Sequence, residues 1–267
     1  MSDASAAPAP TPLPAIEVKA ATVADLRAAL AAGLSDFRRA PQFGLFFGAI
    51  YTVGGLLVVL SVTALGLSYL AYPLAAGFAL IGPFVAVGLY EVSRRLEDGR
   101  PLTWGGVLGV IFAQGRRELG WMAFVTLFIL LMWMYVVRLL LALFLGFQSF
   151  ASMQEFVTVL LTTADGLGFL AVGHVIGAVL ACVLFSLTVV SFPLLLDQDR
   201  DFITAMITSV RAVVESPVVM LGWGLCIAAL LILAMVPAFL GLLVVLPVLG
   251  HATWHLYRRL VSFRPAA

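Results

Sequence analysis

Charge is what this chain has least of. Asp, Glu, Lys and Arg make up 11% of its 267 residues, against 63% hydrophobic ones. A soluble domain carries roughly 25% charged residues. So few charges could not cover the surface of a soluble fold this long, and lipid is the solvent that removes the difficulty. Lysine is nearly absent: Lys19 is the only one, and the other basic residues are arginines. The two cysteines, Cys182 and Cys226, lie in apolar runs without CxxC spacing and read as small packing residues. No nucleophile elbow, P-loop, HExxH or dinucleotide fingerprint occurs, so no enzyme is indicated. A net charge of +1 gives no ground for nucleic-acid binding, and no cofactor is implied.

Long apolar runs are what remains. A membrane span needs about 20 mostly apolar residues. Six stretches qualify: 43–66, 70–90, 121–145, 168–192, 217–235 and 238–256. The last two leave room only for a turn at Pro237, with Gly241 behind it. If the spans alternate, Lys19, Arg27, Arg38, Arg39, Arg94, Arg95, Arg100, Arg116, Arg117, Arg200, Arg211, Arg258, Arg259 and Arg264 fall on one side. The opposite loops, 67–69, 146–167 and 236–237, contain no Lys or Arg. The positive-inside rule then puts both termini in the cytoplasm. Residues 1–21, rich in Ala and Pro, read as a disordered cytoplasmic tail, and 22–263 as the membrane domain. The first span is expected to serve as an uncleaved signal. Arginine in place of lysine, with abundant alanine, suggests a bacterial genome rich in GC.

The membrane domain repeats itself. Leu26, Leu30, Leu34 and Phe37 recur as Phe202, Met206, Val210 and Val213 at an offset of 176, and as Trp104, Leu108, Phe112 and Gly115 at 78. Asp25, Thr103 and Asp201 stand before these stripes as residues of helix-capping type. Apolar residues at spacings of four, four and three form one stripe of an amphipathic helix. Pro41 and Pro217 agree with the same offset of 176. Pro83, Tyr90, Arg94 and Arg95 match Pro247, Trp254, Arg258 and Arg259 at 164. The expected fold is therefore all-α: six transmembrane helices in three parallel repeats (about 22–98, 99–198 and 199–263), each an amphipathic surface helix followed by a helical hairpin. The stripe residues should be shielded from water, and Arg27 and Ser209 should not. Gly44 with Gly48, and Gly173 with Gly177, form GxxxG pairs suited to close helix packing within the chain or in a homodimer.

Candidate chemistry is sparse. An aromatic residue one turn before an arginine pair marks where a helix leaves a membrane, so Tyr90, Arg94 and Arg95, and Trp254, Tyr257, Arg258 and Arg259, are expected as interfacial anchors. His251 and His255 share a helix face at i, i+4, a spacing that permits two ligands to one metal. The sequence offers no carboxylate or further histidine nearby, so no metal is expected. Glu91, Glu97 and Asp98, and Asp197, Asp199 and Asp201, form acidic clusters that read as solvated loops. Arg138 is the one charge inside a span, roughly 26 Å from its cytoplasmic end. It is expected to snorkel outward, to pair with Glu155 or Asp165, or to meet an anion. His174 belongs to that same outer side.

The run Gly250-His251-Ala252-Thr253-Trp254-His255-Leu256-Tyr257-Arg258 resembles an uncharacterised family of bacterial integral membrane proteins, a domain of unknown function, some members of which carry the label putative cytochrome c oxidase subunit. The resemblance extends over most of 22–263 and implies a multi-pass protein of the bacterial inner membrane; it implies no activity. Haem–copper catalytic subunits need several intramembrane histidines on different helices, and this chain has three in all. The expected role is a non-enzymatic accessory or assembly factor of a membrane complex, a respiratory one included. It would act through lipid and through another integral membrane protein or a second copy. The alternatives are a small-solute transporter or channel, and a haem- or metal-binding redox subunit using His251 and His255.

Overall fold

The computed structural model describes residues 14–64, 71–115, 117–146 and 152–264. Arg116 and the first thirteen residues of the expected tail lie outside them. Among the described residues, the regular elements are helices apart from a two-stranded ribbon. They run β1 (Ala15–Val18), α1 (Val23–Arg39), α2 (Pro41–Thr63), α3 (Ala71–Glu97), α4 (Trp104–Gly115), α5 (Glu118–Leu145), α6 (Met153–Thr162), α7 (Ala164–Thr188), α8 (Ser191–Asp197), α9 (Phe202–Glu215), α10 (Pro217–Met235), α11 (Leu242–Leu260) and β2 (Val261–Arg264). The expected tail is thus corrected over its last residues. Ala15–Val18 pair antiparallel with Val261–Arg264, because the helices bring the two ends of the chain side by side.

Local chemistry explains several helix starts. Pro41 and Pro217 occupy the first turns of α2 and α10, where a missing N–H costs nothing. Thr103 Oγ1 accepts from Gly106 N at 3.2 Å, and Asp201 Oδ1 from Thr204 N at 2.8 Å. Asp25 is not the cap of α1. Thr22 is, and Asp25 closes a reciprocal capping box from the third position: Thr22 Oγ1 accepts from Asp25 N at 3.2 Å, and Asp25 Oδ2 from Thr22 N at 3.1 Å. The turn expected at Pro237 spans 236–241, between α10 and α11, with Ala238 and Phe239 at φ of 50° and 63°. α2 holds this left-handed turn in place: Thr52 Oγ1 donates to the Phe239 carbonyl at 3.1 Å.

Among the described residues, four stretches are long and apolar enough to cross a membrane: Pro41–Ser61, Glu118–Leu145, Ala164–Asp197 and Pro217–Met235. α3 and α11 carry polar residues in their second halves, and those halves are covered by protein. α1 packs along α11, which also meets α2 and α3. Gly33 lets α1 and α11 touch at backbone distance: a Cβ there would stand 2.6 Å from Ala252 N and 2.7 Å from the Val248 carbonyl. A Cβ at Gly48 would lie 2.8 Å from the Leu243 Cα. Gly44 meets Phe37 and Pro247, and Gly177 meets Trp133 of α5. Both GxxxG pairs therefore serve contacts within the chain.

The apolar stripes, Val213 of α9 excepted, flank the helix contacts rather than forming their centres. In α1 the buried line is Ala29, Gly33 and Asp36, with Leu26, Leu30, Leu34 and Phe37 half-buried beside it. In α9 it is Ala205, Thr208, Ser209, Ala212 and Val213. Ser209 is consequently not water-facing as expected. It is fully buried, and its Oγ accepts from Val190 N at the α7–α8 junction at 3.1 Å. In α4 the stripe turns outward, with Phe112 74% exposed, while Val107 and Ile111 face the core. Arg27 is exposed, as the pattern requires.

Candidate functional site

One end of the bundle collects many of the ionisable side chains, and its centre is buried. The tight α1–α11 crossing at Gly33 brings the next turn of α1 against His255. Asp36 Oδ2 lies 2.6 Å from His255 Nε2. One turn back along α11, His251 Nδ1 is 2.8 Å from Ser93 Oγ of α3. His251 and Ser93 are fully buried and Asp36 nearly so. Three helices are thus tied by four side chains. Ser93 and Asp36 contact different imidazoles, so no single histidine links a hydroxyl to a carboxylate as an acid–base relay for nucleophilic attack requires. His251 Nε2 is buried without a hydrogen-bond partner. Among the described residues, no three His, Cys, Asp or Glu side chains converge in a metal-binding group.

Around this knot lie the acids and arginines read above as loops and anchors. Glu91, wholly buried, receives Arg94 at 2.5 Å, Arg95 at 2.6 Å and Arg100 at 3.1 Å. Arg94 and Arg95 then donate to the carbonyls of Leu196 and Pro101. Glu97 accepts from Trp254 Nε1 at 3.1 Å and pairs with Arg258 at 3.3 Å. Asp197 accepts from the Tyr257 hydroxyl at 2.7 Å and pairs with Arg258 at 3.4 Å. Arg259 reaches Asp25 at 3.7 Å. The rings of Tyr90, Trp254 and Tyr257 pack on one another inside the protein. The residues expected as headgroup anchors therefore do meet, but around carboxylates of this chain. The reason is that α8 and the N-terminal half of α1 cover the ends of α3 and α11. Asp36 and Ser93 escaped the reading of the sequence. Asp36 alone left a signal, a lone acid seven residues from Ala29 on the small-residue face of α1.

Burial opposes ionisation of Asp36, but the His255 hydrogen bond and charge, aided by Ser93 and His251, hold its carboxyl below the usual carboxylate range. The hydroxyl and amide of Thr22 lower Asp25 despite burial, and those of Thr204 lower Asp201. A carboxyl depressed in the native state contributes stability above its unfolded value of about 3.9, and that stability is lost as pH falls through the native value. Stability against thermal unfolding in detergent is therefore expected to fall below about pH 4. The Asp36→Asn variant should be less stable at neutral pH and show a shallower acid limb. An unchanged limb in that variant would remove Asp36 from this account.

The remaining candidates lie apart. Arg138 is exposed on α5, and no described carboxylate pairs with it, neither Glu155 nor Asp165 included. His174 is exposed on α7, its Nδ1 2.6 Å from the Leu170 carbonyl. Two grooves of about 470 and 420 Å³ open between helices. One is walled by Phe46, Phe84 and Phe112, the other by Tyr51, Met235 and Phe239. A polar cleft of about 170 Å³ lies between Arg117, Glu118, Asp199 and Arg200.

Residues 71–197 match the model of the family described as predicted integral membrane protein (DUF2189). The run 250–258 lies outside the match, and the match carries no oxidase label. No curated protein and no solved structure matches the chain. With its four apolar stretches, the chain is an integral membrane protein.

Proposed function

We propose that the chain is a non-enzymatic accessory or assembly factor of a complex in the bacterial inner membrane, built as six spans in three parallel repeats with both termini cytoplasmic. The observation that carries this reading is the division of labour in the side chains. The buried acids are consumed by arginines, histidines and aromatic donors of the same chain, while the long helices turn bare apolar faces outward. What the exterior offers is helix surface and lipid surface. The order α1–α2–α3, α4–α5–α7 and α9–α10–α11 supports the repeats. α3 and α11 complete the set of spans because their polar halves are sheltered by protein rather than lipid.

Purification in native lipid followed by mass spectrometry tests the role. A membrane protein recovered in stoichiometric amount is the expected result. A Soret band lost on replacing His251 and His255 would favour the redox subunit. Stabilisation by a small solute would favour the transporter. Reporter fusions at the C-terminus and in 91–120 should read cytoplasmic, and those in 146–167 the opposite side. A C-terminus on the far side would end the topology.

A further inference from the structure

α5 is the barest of the four apolar stretches: 11% of the residues in its most apolar part are buried, against 17–33% in the others. Trp121, Phe124, Phe128, Tyr135 and Leu139 run along its outer face, each more than half exposed. Arg138 stands beside them. Its guanidinium cannot give up its proton, so a charge set among apolar side chains needs a counter-group, and none comes from the described residues.

A second polar side chain lies at the same depth. α5 and α7 run antiparallel, with Gly168 against Phe144, Gly173 against Leu140 and Gly177 against Trp133. That register puts His174 level with Arg138. At 100° per residue, Arg138 stands about 140° and His174 about 80° from the contact line. Because the helices run in opposite directions, both offsets turn to the same side of the pair. The Leu170 carbonyl can only accept, so His174 Nδ1 donates to it. Nε2 is left to the exterior. Arg138 is therefore built to meet an anion, and His174 faces the exterior on the same side at the same depth.

Depth selects which anion. Arg138 is 17 residues beyond Trp121, roughly 26 Å along a helix that crosses about 30 Å of hydrocarbon. A carboxylate on a partner span at that level would sit inside the hydrocarbon. The phosphate layer is within reach of an extended arginine. We propose that the exposed α5–α7 face is a phospholipid site, in which Arg138 and His174 hold the headgroup phosphate and the aromatic stripe of α5 carries an acyl chain. This rests on reading α5 as a span with Trp121 at its cytoplasmic end.

The test uses the purified full chain in a maltoside detergent, titrated with dioleoyl phosphatidylglycerol or with dioleoylglycerol, which has the same chains and no phosphate. Thermal stabilisation by the first lipid alone is expected, with that lipid retained in native mass spectra. Arg138→Gln and His174→Gln together should weaken the response by about tenfold or more. Arg138→Lys should keep most of it, and Arg211→Gln on α9 all of it. If the double variant does not fold, His174→Gln alone must still weaken the response. Equal stabilisation by both lipids, or an unchanged response in the variants, overturns the proposal. So does an Arg138→Gln variant that sheds a co-purifying protein while keeping its lipid response. The titration does not depend on which side a loop faces, so its failure is distinguishable from a failed topology.

Discussion

Replacing Glu91 by glutamine is expected to cost about 3 kcal/mol, the lower end of what removing one partner of a buried ion pair costs. That corresponds to a fall of roughly 10 °C in unfolding temperature for a chain of this size. Glu91 is fully buried and is the shared acceptor of Arg94, Arg95 and Arg100. The lower end applies because Arg94 and Arg95 keep 20% and 15% of their side-chain surface in contact with the exterior, which relieves part of their stranded charge. Arg100 is 44% exposed, and Arg100→Gln should cost under about 1 kcal/mol, as exposed pairs do. The measurement is thermal unfolding in detergent, comparing the two variants. Equal losses would mean that Glu91 holds the end of α3 no more firmly than a surface pair does.

Gly33→Ala supplies a test in which the sign decides. In a helix exposed to solvent or lying free on a membrane, this substitution stabilises by roughly 0.5–1 kcal/mol, since glycine loses more conformational freedom on folding. In α1 the new methyl would meet the backbone of α11, at 2.6 Å from Ala252 N and 2.7 Å from the Val248 carbonyl. Backbone cannot rotate away, so the helices must part, at a cost of about 1–3 kcal/mol. The Asp36–His255 contact one turn further on would loosen with them. Gly109→Ala in α4, where a Cβ meets nothing within 4 Å, should stabilise. A cysteine at position 36 should label faster in the Gly33→Ala background than in the parent. Stabilisation by both alanines would show that α1 does not pack as described.

Helices α1 and α9 show where reading the sequence stops. Leu26, Leu30 and Phe37, with Phe202 and Met206, announced α1 and α9 through their spacing, and both helices stand where that spacing put them. Their contact centres went unseen because Ala29, Gly33, Ala205 and Ser209 are small. A periodicity count weighs bulk and hydrophobicity, while close helix approach is chosen by the absence of a side chain. The same limit hid the site. His251 and His255 were visible as a pair, and Trp254 with Arg258 as an edge pattern, but their partners lie 158 and 219 residues away for the histidines and 157 and 161 for the tryptophan and arginine. No local rule selects among carboxylates at that distance.

Some properties belong to the sequence alone. With 11% charge, this chain had to be a membrane protein. Its prolines and caps set where α2, α4, α9 and α10 begin, and its apolar runs set their lengths. These are matters of solvent and of neighbouring residues, settled within a few turns. The tertiary structure decided which carboxylate each of these arginines meets, because that depends on which helix ends pack together. It decided that the N-terminal tail would end in a strand, because β2 offered unpaired backbone beside it. It also buried Asp36 and Ser93 against two histidines. Burial removes water as the competing partner, and only the packing of three helices could do that.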